Sequence, residues 1–464
     1  MNSMKDRFRL ITSAALVWAV VLSAGASATE TPIQPGSELT LNQAIDIALR
    51  FHPRRMQAQA ELGAAGEQVG EARSNLLPQV YGVGEYLRST DNPIGDTSYL
   101  GLNRFPRLPG TDHDASPNAA QNFGTGDNYL AGLAVSQFLF DFGRVRGFID
   151  EREAERAASE ARLKLTDLDL IFAVSRRYFD LLAARRIVNV YEKAIEQRKT
   201  HLHEATVMAK ADLKPQIDVY TTQAELARAQ LLLIQGRNAA DDAKAALDNA
   251  MGLSESAPEY RPSESESVGS TKIGESFPQL VKLAFEGRPD LGILKEEARA
   301  AGARVAEYRS DYLPTVTATG AYSSMGIGLP AANNFDVGVI ITWPIFNGLA
   351  TEHQVAEAKF RQDAVRHAIE DLRQQIVQQV KSAFLDWQAA LAGIDQAAQA
   401  RAASEVELRL AEKRYQTGLG NVIELEDAQQ RYTADSAAYV NALYACGVAK
   451  AAVDRDTGRS LPRF

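Results

Sequence analysis

The sequence predicts a mainly α-helical chain with a small transmembrane β portion, assembled from one unit used twice. Three observations carry that reading. An internal duplication spans nearly the whole chain, two long tracts lack proline and show coiled-coil seams, and four segments switch from a period of 3.6 to a period of 2.

Composition sets the outer limits. The chain has 464 residues, a formal charge of −9, 45% hydrophobic residues and one cysteine. Mean hydropathy is −0.23, and past the N-terminal segment no apolar run reaches the roughly 18 residues of a membrane-spanning helix, which excludes a helical integral membrane protein. An acidic balance without a basic block argues against nucleic-acid binding. The single cysteine, Cys446, excludes an internal disulfide and a Cys-rich metal site.

Residues 1–28 read as a signal peptide. Lys5, Arg7 and Arg9 precede an apolar stretch from Leu10 to Ala24, and Ala26-Ser27-Ala28 supplies the small-x-small cleavage site, so the mature chain is expected to begin at Thr29. Removing three basic residues and one acid takes the formal charge from −9 to −11. Cys446 lies far from that site, so no N-terminal lipid anchor is expected.

The duplication is visible residue by residue. Pro53, Gly66, Leu77, Pro78, Gly84 and Tyr86 recur as Pro289, Gly302, Leu313, Pro314, Gly320 and Tyr322. Gly132, Val174, Asp180, Leu213, Ile217, Gln223 and Gly252 recur as Gly338, Val380, Asp386, Leu419, Ile423, Gln429 and Gly458. The chain therefore divides into a first repeat at 29–252, a linker at 253–276 rich in Ser, Glu and Pro, a second repeat at 277–458 and a tail at 459–464. The first repeat carries one long insertion, 87–128, where the second has only 323–334.

Each unit opens with a short amphipathic helix, and Pro53 or Pro289 then starts a second helix where a missing N–H costs nothing. Leu77-Pro78 and Leu313-Pro314 are expected to end it, because the residue before proline is pushed out of the α region. Strands follow at about 79–87 and 129–138 in the first copy and at about 315–322 and 335–343 in the second. The second copy alternates most strictly: Val316 and Tyr322, then Phe335, Val337, Val339, Ile341 and Trp343, fall on one face and are the expected membrane-facing residues. Strands of about 9–11 residues suit a tilted crossing of a bilayer. A pair of soluble hairpins with one buried face is the alternative, supported by Gln137 at the position matching Trp343 and by the glycine-rich faces.

Proline is absent from Asn118 through Lys214 and from Ile345 through Leu461. Helices are expected at roughly 145–210 and 351–416, each about 100 Å long at 1.5 Å per residue. Leu170, Val174, Leu181, Ala184, Val188, Tyr191 and Ile195 form a seam, matched by Ile376, Val380, Ala383, Trp387, Ala390, Ile394 and Ala397. Ile171, Tyr178 and Leu182 form a second seam beside the first, so these helices need neighbours on two sides. Short breaks at Asp212–Lys214 and Gly418–Gly420 return the chain antiparallel and make a rod.

Four strands cannot close a membrane barrel, and an open sheet in lipid would leave edge amides unsatisfied, so strands that cross a membrane require several chains. The ordered set of features resembles the TolC-type outer-membrane efflux and secretion channels. It comprises the Leu-Pro before each strand, the exits Phe140-Asp141-Phe142-Gly143 and Pro344-Ile345-Phe346-Asn347-Gly348, and Tyr415-Gln416-Thr417-Gly418 with Ile423-Glu424-Leu425. The resemblance implies a homotrimer with a 12-stranded barrel continuous with a periplasmic α-barrel. It also implies that the segments 87–128 and 323–334 face outside the cell and that the linker lies in the equatorial belt. The partners it implies are a periplasmic adaptor, an inner-membrane transporter and outer-membrane lipid, in a Gram-negative outer membrane and without a cofactor. A soluble periplasmic coiled-coil scaffold or adaptor is the alternative.

By the same resemblance the constriction lies where the return helices begin. Asp218, Glu424 and Asp427 are the candidate carboxylates, with Asp218 and Glu424 at equivalent repeat positions and Glu424 and Asp427 on one helix face. Tyr415 matches the family tyrosine that ties the tip to the neighbouring coil, with Asp218 at its partner's position. Gly420 stands where family channels often carry a basic residue, which puts an arginine lock in doubt. Asp212, Lys214, Gly418 and Gly420 mark the tips expected to dock the adaptor. Asn421-Val422-Ile423-Glu424 also fits a capping box, so Glu424 reads as gate, cap or both. His201 and His203 fall on nearly opposite helix faces and are not expected to share a metal. No nucleophile triad, P-loop or CxxC arrangement points to an enzyme.

Overall fold

A computed structural model describes residues 33–34, 36–90, 125–253, 258–263, 273–327 and 332–459. The signal peptide, most of 87–128, parts of the linker and all but the first residue of the tail lie outside the described residues.

The elements run β1 (Glu38–Leu39), α1 (Leu41–Phe51), α2 (Pro53–Ser74), β2 (Gln79–Thr90), β3 (Thr125–Phe140), α3 (Arg144–Lys210) and α4 (Gln216–Met251). They continue through β4 (Arg261–Pro262), α5 (Phe277–Gly287), α6 (Pro289–Ser310), β5 (Thr315–Ile327), β6 (Ala332–Thr342), α7 (Ala350–Gln416) and α8 (Val422–Asp456). The order helix, helix, strand, strand, long helix, return helix occurs twice.

Local chemistry explains the boundaries. Thr40 and Gln43 form a reciprocal capping box at α1, and Ser276 with Gln279 does the same at α5. Pro53 and Pro289 stand at the first helical position of α2 and α6. Both helices end three residues before the Leu-Pro pairs, at Ser74 and Ser310, rather than at the prolines. In α2 the Asn75 side chain donates to the Ala72 carbonyl and closes the helix first. Asp141 accepts from the amides of Gly143 at 3.0 Å and Val145 at 2.6 Å, and so starts α3 from outside the helix.

The four long strands form one antiparallel sheet in the order β2-β3-β5-β6, and within the single chain it is open at both edges. Register places Val80 opposite Val135, Leu133 opposite Tyr322, Tyr322 opposite Phe335 and Val316 opposite Ile341. Opposite residues share a face, so these side chains make one continuous apolar surface. The other face pairs Thr315 with Thr342, Thr319 with Gly338 and Ala321 with Asp336 and is more polar, although Ile340 and Tyr81 also stand on it.

The helices form a wall. α3 packs against α2, α4, α6 and α8, while α7 packs against α5, α6 and α8. At mid-length, β1 pairs parallel with β4, and the buried Tyr178 hydroxyl donates towards the carbonyls of Leu39 at 2.9 Å and Ser263 at 3.0 Å, fixing this belt to α3. Ile45, Val174, Leu181, Leu247 and Met251 fill the core beneath the belt in the first repeat. Leu280, Ile376, Val380 and Trp387 do so in the second.

The return helices end alike. Gly252 and Gly458 adopt left-handed backbone, with φ of 74° and 72°. A β-carbon at Gly252 would lie 2.7 Å from the His52 α-carbon, and one at Gly458 would lie 2.5 Å from the Gly287 carbonyl carbon. Each glycine lets its return helix press on the elbow between the two opening helices of its repeat.

Candidate functional site

The far ends of the two helical hairpins meet at one end of the rod. The α3–α4 turn and the α7–α8 turn are each a few residues long, and each needs one left-handed residue. Asp212 supplies it with φ 54° and Gly418 with φ 79°, at equivalent repeat positions.

Among the polar contacts that join the hairpins, three lie nearest the turns. Lys214 Nζ donates to the Gly420 carbonyl at 3.1 Å and lies 4.6 Å from the centre of the Tyr415 ring. Fully buried Tyr415 directs its hydroxyl at Asp218 Oδ2, 3.4 Å away. Gln416 Nε2 donates to Glu204 Oε1 at 3.2 Å. Burial, with the Asp218 charge and hydrogen bond adding to it, pushes the Tyr415 pKa up to about 12, so the phenol stays a donor. Leu408, Ala411, Val422, Leu425 and Ala428 pack around Tyr415 as a small separate core.

The candidate carboxylates fall into different environments. Asp218 is buried, whereas Glu424 and Asp427 are exposed on one side of α8. Tyr415 covers Asp218, whereas the residue at the repeat position equivalent to Tyr415 is Ala209, which has no hydroxyl to offer. Glu424 instead meets Arg414 Nε at 2.9 Å, across the turn. Half of the expected capping box forms, with Asn421 Oδ1 accepting from the Glu424 amide at 2.8 Å, while the Glu424 carboxylate goes to Arg414.

Two features were missed in the sequence. One is Arg414, whose role depends on the turn folding it back on Glu424. The other is a set of exposed apolar residues at the tips: Leu213 and Ile217 on one hairpin, 74% and 67% exposed, and Leu419 and Ile423 on the other, 75% and 64% exposed. These pairs are identities of the duplication at positions with no core to fill, which was the available signal.

At the other end of the rod, Tyr322, Phe335, Val337, Val339, Ile341 and Trp343 are exposed on the apolar face of the sheet or its continuation, and Val316 is half-buried. Trp343 Nε1 donates to the Tyr312 carbonyl at 3.1 Å where strand gives way to helix. No described helix is long and apolar enough to cross a membrane. Among the described residues no cluster could hold a metal. Buried His201 faces Glu412 at 3.4 Å, while His203 is exposed.

The sequence model of the family described as "Outer membrane efflux protein" matches residues 44–253 and 280–459, which is most of the chain. The chain belongs to that family. This outer membrane efflux protein is 23% identical over 455 residues to the outer membrane efflux protein BepC of Brucella suis, covering 97% of the chain and 90% of the relative. It is 22% identical to TolC of Escherichia coli K12, covering 84% of the chain and 76% of the relative. Among solved structures it resembles CusC, with a TM-score of 0.76 at 18% identity over 95% of this chain and all of that one. It also resembles the open state of the Neisseria gonorrhoeae MtrE channel, with a TM-score of 0.72 at 20% identity and 94% coverage of each chain. As an outer membrane efflux protein it is an exit duct in the outer membrane of a Gram-negative bacterium, in a family of channels rather than enzymes.

Proposed function

We propose that three copies of this efflux protein close a 12-stranded barrel through the outer membrane, continuous with a helical tunnel in the periplasm. The assembly passively conducts substrate delivered by an inner-membrane transporter and a periplasmic adaptor. The observation that carries the reading is the four-stranded sheet, open at both edges, with an exposed apolar face running from Val80 to Ile341. Edge amides in hydrocarbon cost several kcal/mol each, so a sheet of this composition needs neighbours of its own kind. The helical wall has matching free edges: Leu231 and Ile234 are exposed on α4, and Phe360 and Leu410 are exposed on α7. Packing one edge on the other in successive copies gives α7 a second long neighbour beside α8, as α3 already has in α4 and α8.

The tip supplies the gate. Lys214–Gly420, Tyr415–Asp218 and Gln416–Glu204 hold the α7–α8 hairpin against the α3–α4 hairpin, and opening requires these contacts to part. Glu424 and Asp427 would ring the constriction, and Leu213, Ile217, Leu419 and Ile423 would present two similar apolar prongs per copy to the adaptor.

Fractionation followed by oligomer mass tests the assembly. Detergent should be needed for extraction, the particle should have three times the chain mass, and planar bilayers should show long-lived, cation-selective conductances. A monomer recovered without detergent would sink the duct and leave a soluble periplasmic scaffold.

A further inference from the structure

Behind the tip contacts lies a charged layer buried between helices. Arg198 on α3 is 4% exposed, and Glu426 on α8, one turn past the start of that helix, is 7% exposed. Arg198 Nε is 3.6 Å from Glu426 Oε2, and Arg198 Nη2 is 3.9 Å from Glu225 Oε2 on α4. The guanidinium thus stands between two carboxylates on two different helices. Neither Glu426 oxygen accepts a hydrogen bond from a described residue, and Arg198 Nε donates none. A buried pair with poor geometry and unmet hydrogen bonds does not recover its desolvation cost. Such a layer is a poor rivet and a good switch.

We infer that Arg198, Glu225 and Glu426 form a proton-linked latch: a protonated Glu426 lets α8 pack on α3, and its ionisation favours withdrawal of the α7–α8 hairpin into water. The inference rests on the reading of the tip as a gate that opens when the hairpins separate. Every charged group packed around Glu426 enters the balance: Arg198 from α3 favours the carboxylate, Glu225 from α4 opposes it, and Tyr415 from α7 is a neutral phenol. Burial dominates and pushes the Glu426 pKa from 4.5 up to about 7.

The sign follows. A group whose pKa is raised in the closed packing stabilises that packing fully below its ordinary value, and the contribution is lost as pH rises through about 7. A hairpin swung outward exposes Glu426 and restores its ordinary value. Between pH 6 and pH 8 the open-to-closed ratio should therefore rise roughly tenfold per protomer. Neighbouring His201 works in the other direction: burial lowers its pKa against the pull of Glu412 and Glu204, so its protonation as pH falls opposes closure.

The test uses the purified full-length channel in planar bilayers, with open probability recorded between pH 6 and pH 8. The wild type should open more at pH 8, Glu426→Gln should lose the slope, and Glu225→Gln should move the midpoint to lower pH by removing a like charge. A heat-modifiable oligomer on a gel confirms that each variant assembles, and Glu225→Gln alone decides the matter if Glu426→Gln does not. A wild type with no slope, or a slope that survives in Glu426→Gln, overturns the latch while leaving the duct intact. Absence of conductance at every pH overturns the duct reading, and the latch with it.

Discussion

Lys214 and Gly420 are joined across the two hairpins, the ammonium donating to the carbonyl at 3.1 Å while it lies 4.6 Å from the centre of the Tyr415 ring. The tie runs from the first repeat to the second, with the cation on the α3–α4 turn. Gly420 offers no side-chain cation on the α7–α8 turn, and Lys214 brings one to its carbonyl from the other hairpin. Lys214→Met keeps the length of the stem and removes the charge. A charge-assisted hydrogen bond on a partly exposed group is worth about 1–2 kcal/mol, so the variant should raise the open probability at the tip by roughly an order of magnitude per protomer. Single-channel recording checks it. Unchanged gating would show that the contact carries no load.

Tyr415→Phe should add to the loosening, since it strips buried Asp218 of its hydroxyl partner. The 3.4 Å separation places the loss near the lower end of the usual range, about 1 kcal/mol. Tyr415 and Lys214 touch, so the double variant should open by less than the two single effects combined. The tyrosine contact itself should be indifferent to pH up to 10. It should weaken only as pH rises through about 12, because a raised phenol pKa stabilises the closed form below that value.

Much of this architecture is written in periodicity and punctuation. The proline-free tracts located α3 and α7 to within one residue at each end, because a helix of that length needs only an unbroken run of helix formers and two turns. Strand alternation in the second copy gave the apolar face on which Phe335, Val337, Val339 and Ile341 stand. The tip chemistry was less legible. Asp218 and Glu424 align in the repeat, yet one is buried and the other exposed, because Asp218 is covered by Tyr415, which is distant in sequence. Glu426 gave no signal at all: beside Asp427 it reads as one more solvated acid, and only the approach of α3 turns it inward.

The charge at the proposed constriction is smaller than a count of acids suggests. Arg414 pairs with Glu424 at 2.9 Å, leaving Asp427 as the member of the two without an ion pair among the described residues. Asp427→Ala should therefore reduce cation selectivity and divalent block directly. Glu424→Gln should do so by unmasking Arg414, and Arg414→Gln should sharpen selectivity. The decisive measurement is the reversal potential of the Arg414→Gln/Glu424→Gln double variant, which should return to the wild-type value if the two charges cancel. A double variant as altered as Glu424→Gln alone would mean that Arg414 does not face the ion path.

The two turns offer a controlled comparison of backbone strain. Asp212 and Gly418 hold equivalent left-handed positions, and a β-carbon at Gly418 would meet nothing within 4 Å. Substitution there tests conformation alone, free of packing. Left-handed backbone costs an L-residue roughly 1–2 kcal/mol, and less for aspartate, whose side chain bonds locally. Gly418→Asp should lower the stability of the tip by up to about 1 kcal/mol, and Asp212→Gly should raise it by a similar or smaller amount. Limited proteolysis at the turns gives the readout. Equal protease sensitivity in both variants would place the strain elsewhere.

At the opposite end of the return helices packing enters as well, which makes Gly458 the most crowded of the described glycines. Its φ of 72° already disfavours any side chain, and the added β-carbon would lie 2.5 Å from the carbonyl carbon of Gly287. The obstruction is backbone on the α5–α6 elbow, which cannot rotate aside as a flexible side chain would. Left-handed strain and the clash together predict a loss of about 2–4 kcal/mol for Gly458→Ala. At Gly252 the corresponding atom is the His52 α-carbon at 2.7 Å, also backbone, so Gly252→Ala should lose nearly as much. Because α8 also carries the latch and the tip, displacing its C-terminal end should lower the temperature at which the oligomer dissociates on a gel. The same substitution at Gly36, which has positive φ and no neighbour within 4 Å, isolates the conformational part and should cost about 1 kcal/mol. A Gly458→Ala oligomer as heat-resistant as the Gly36→Ala one would show that the elbow yields, and that the close approach of the return helix is incidental to assembly.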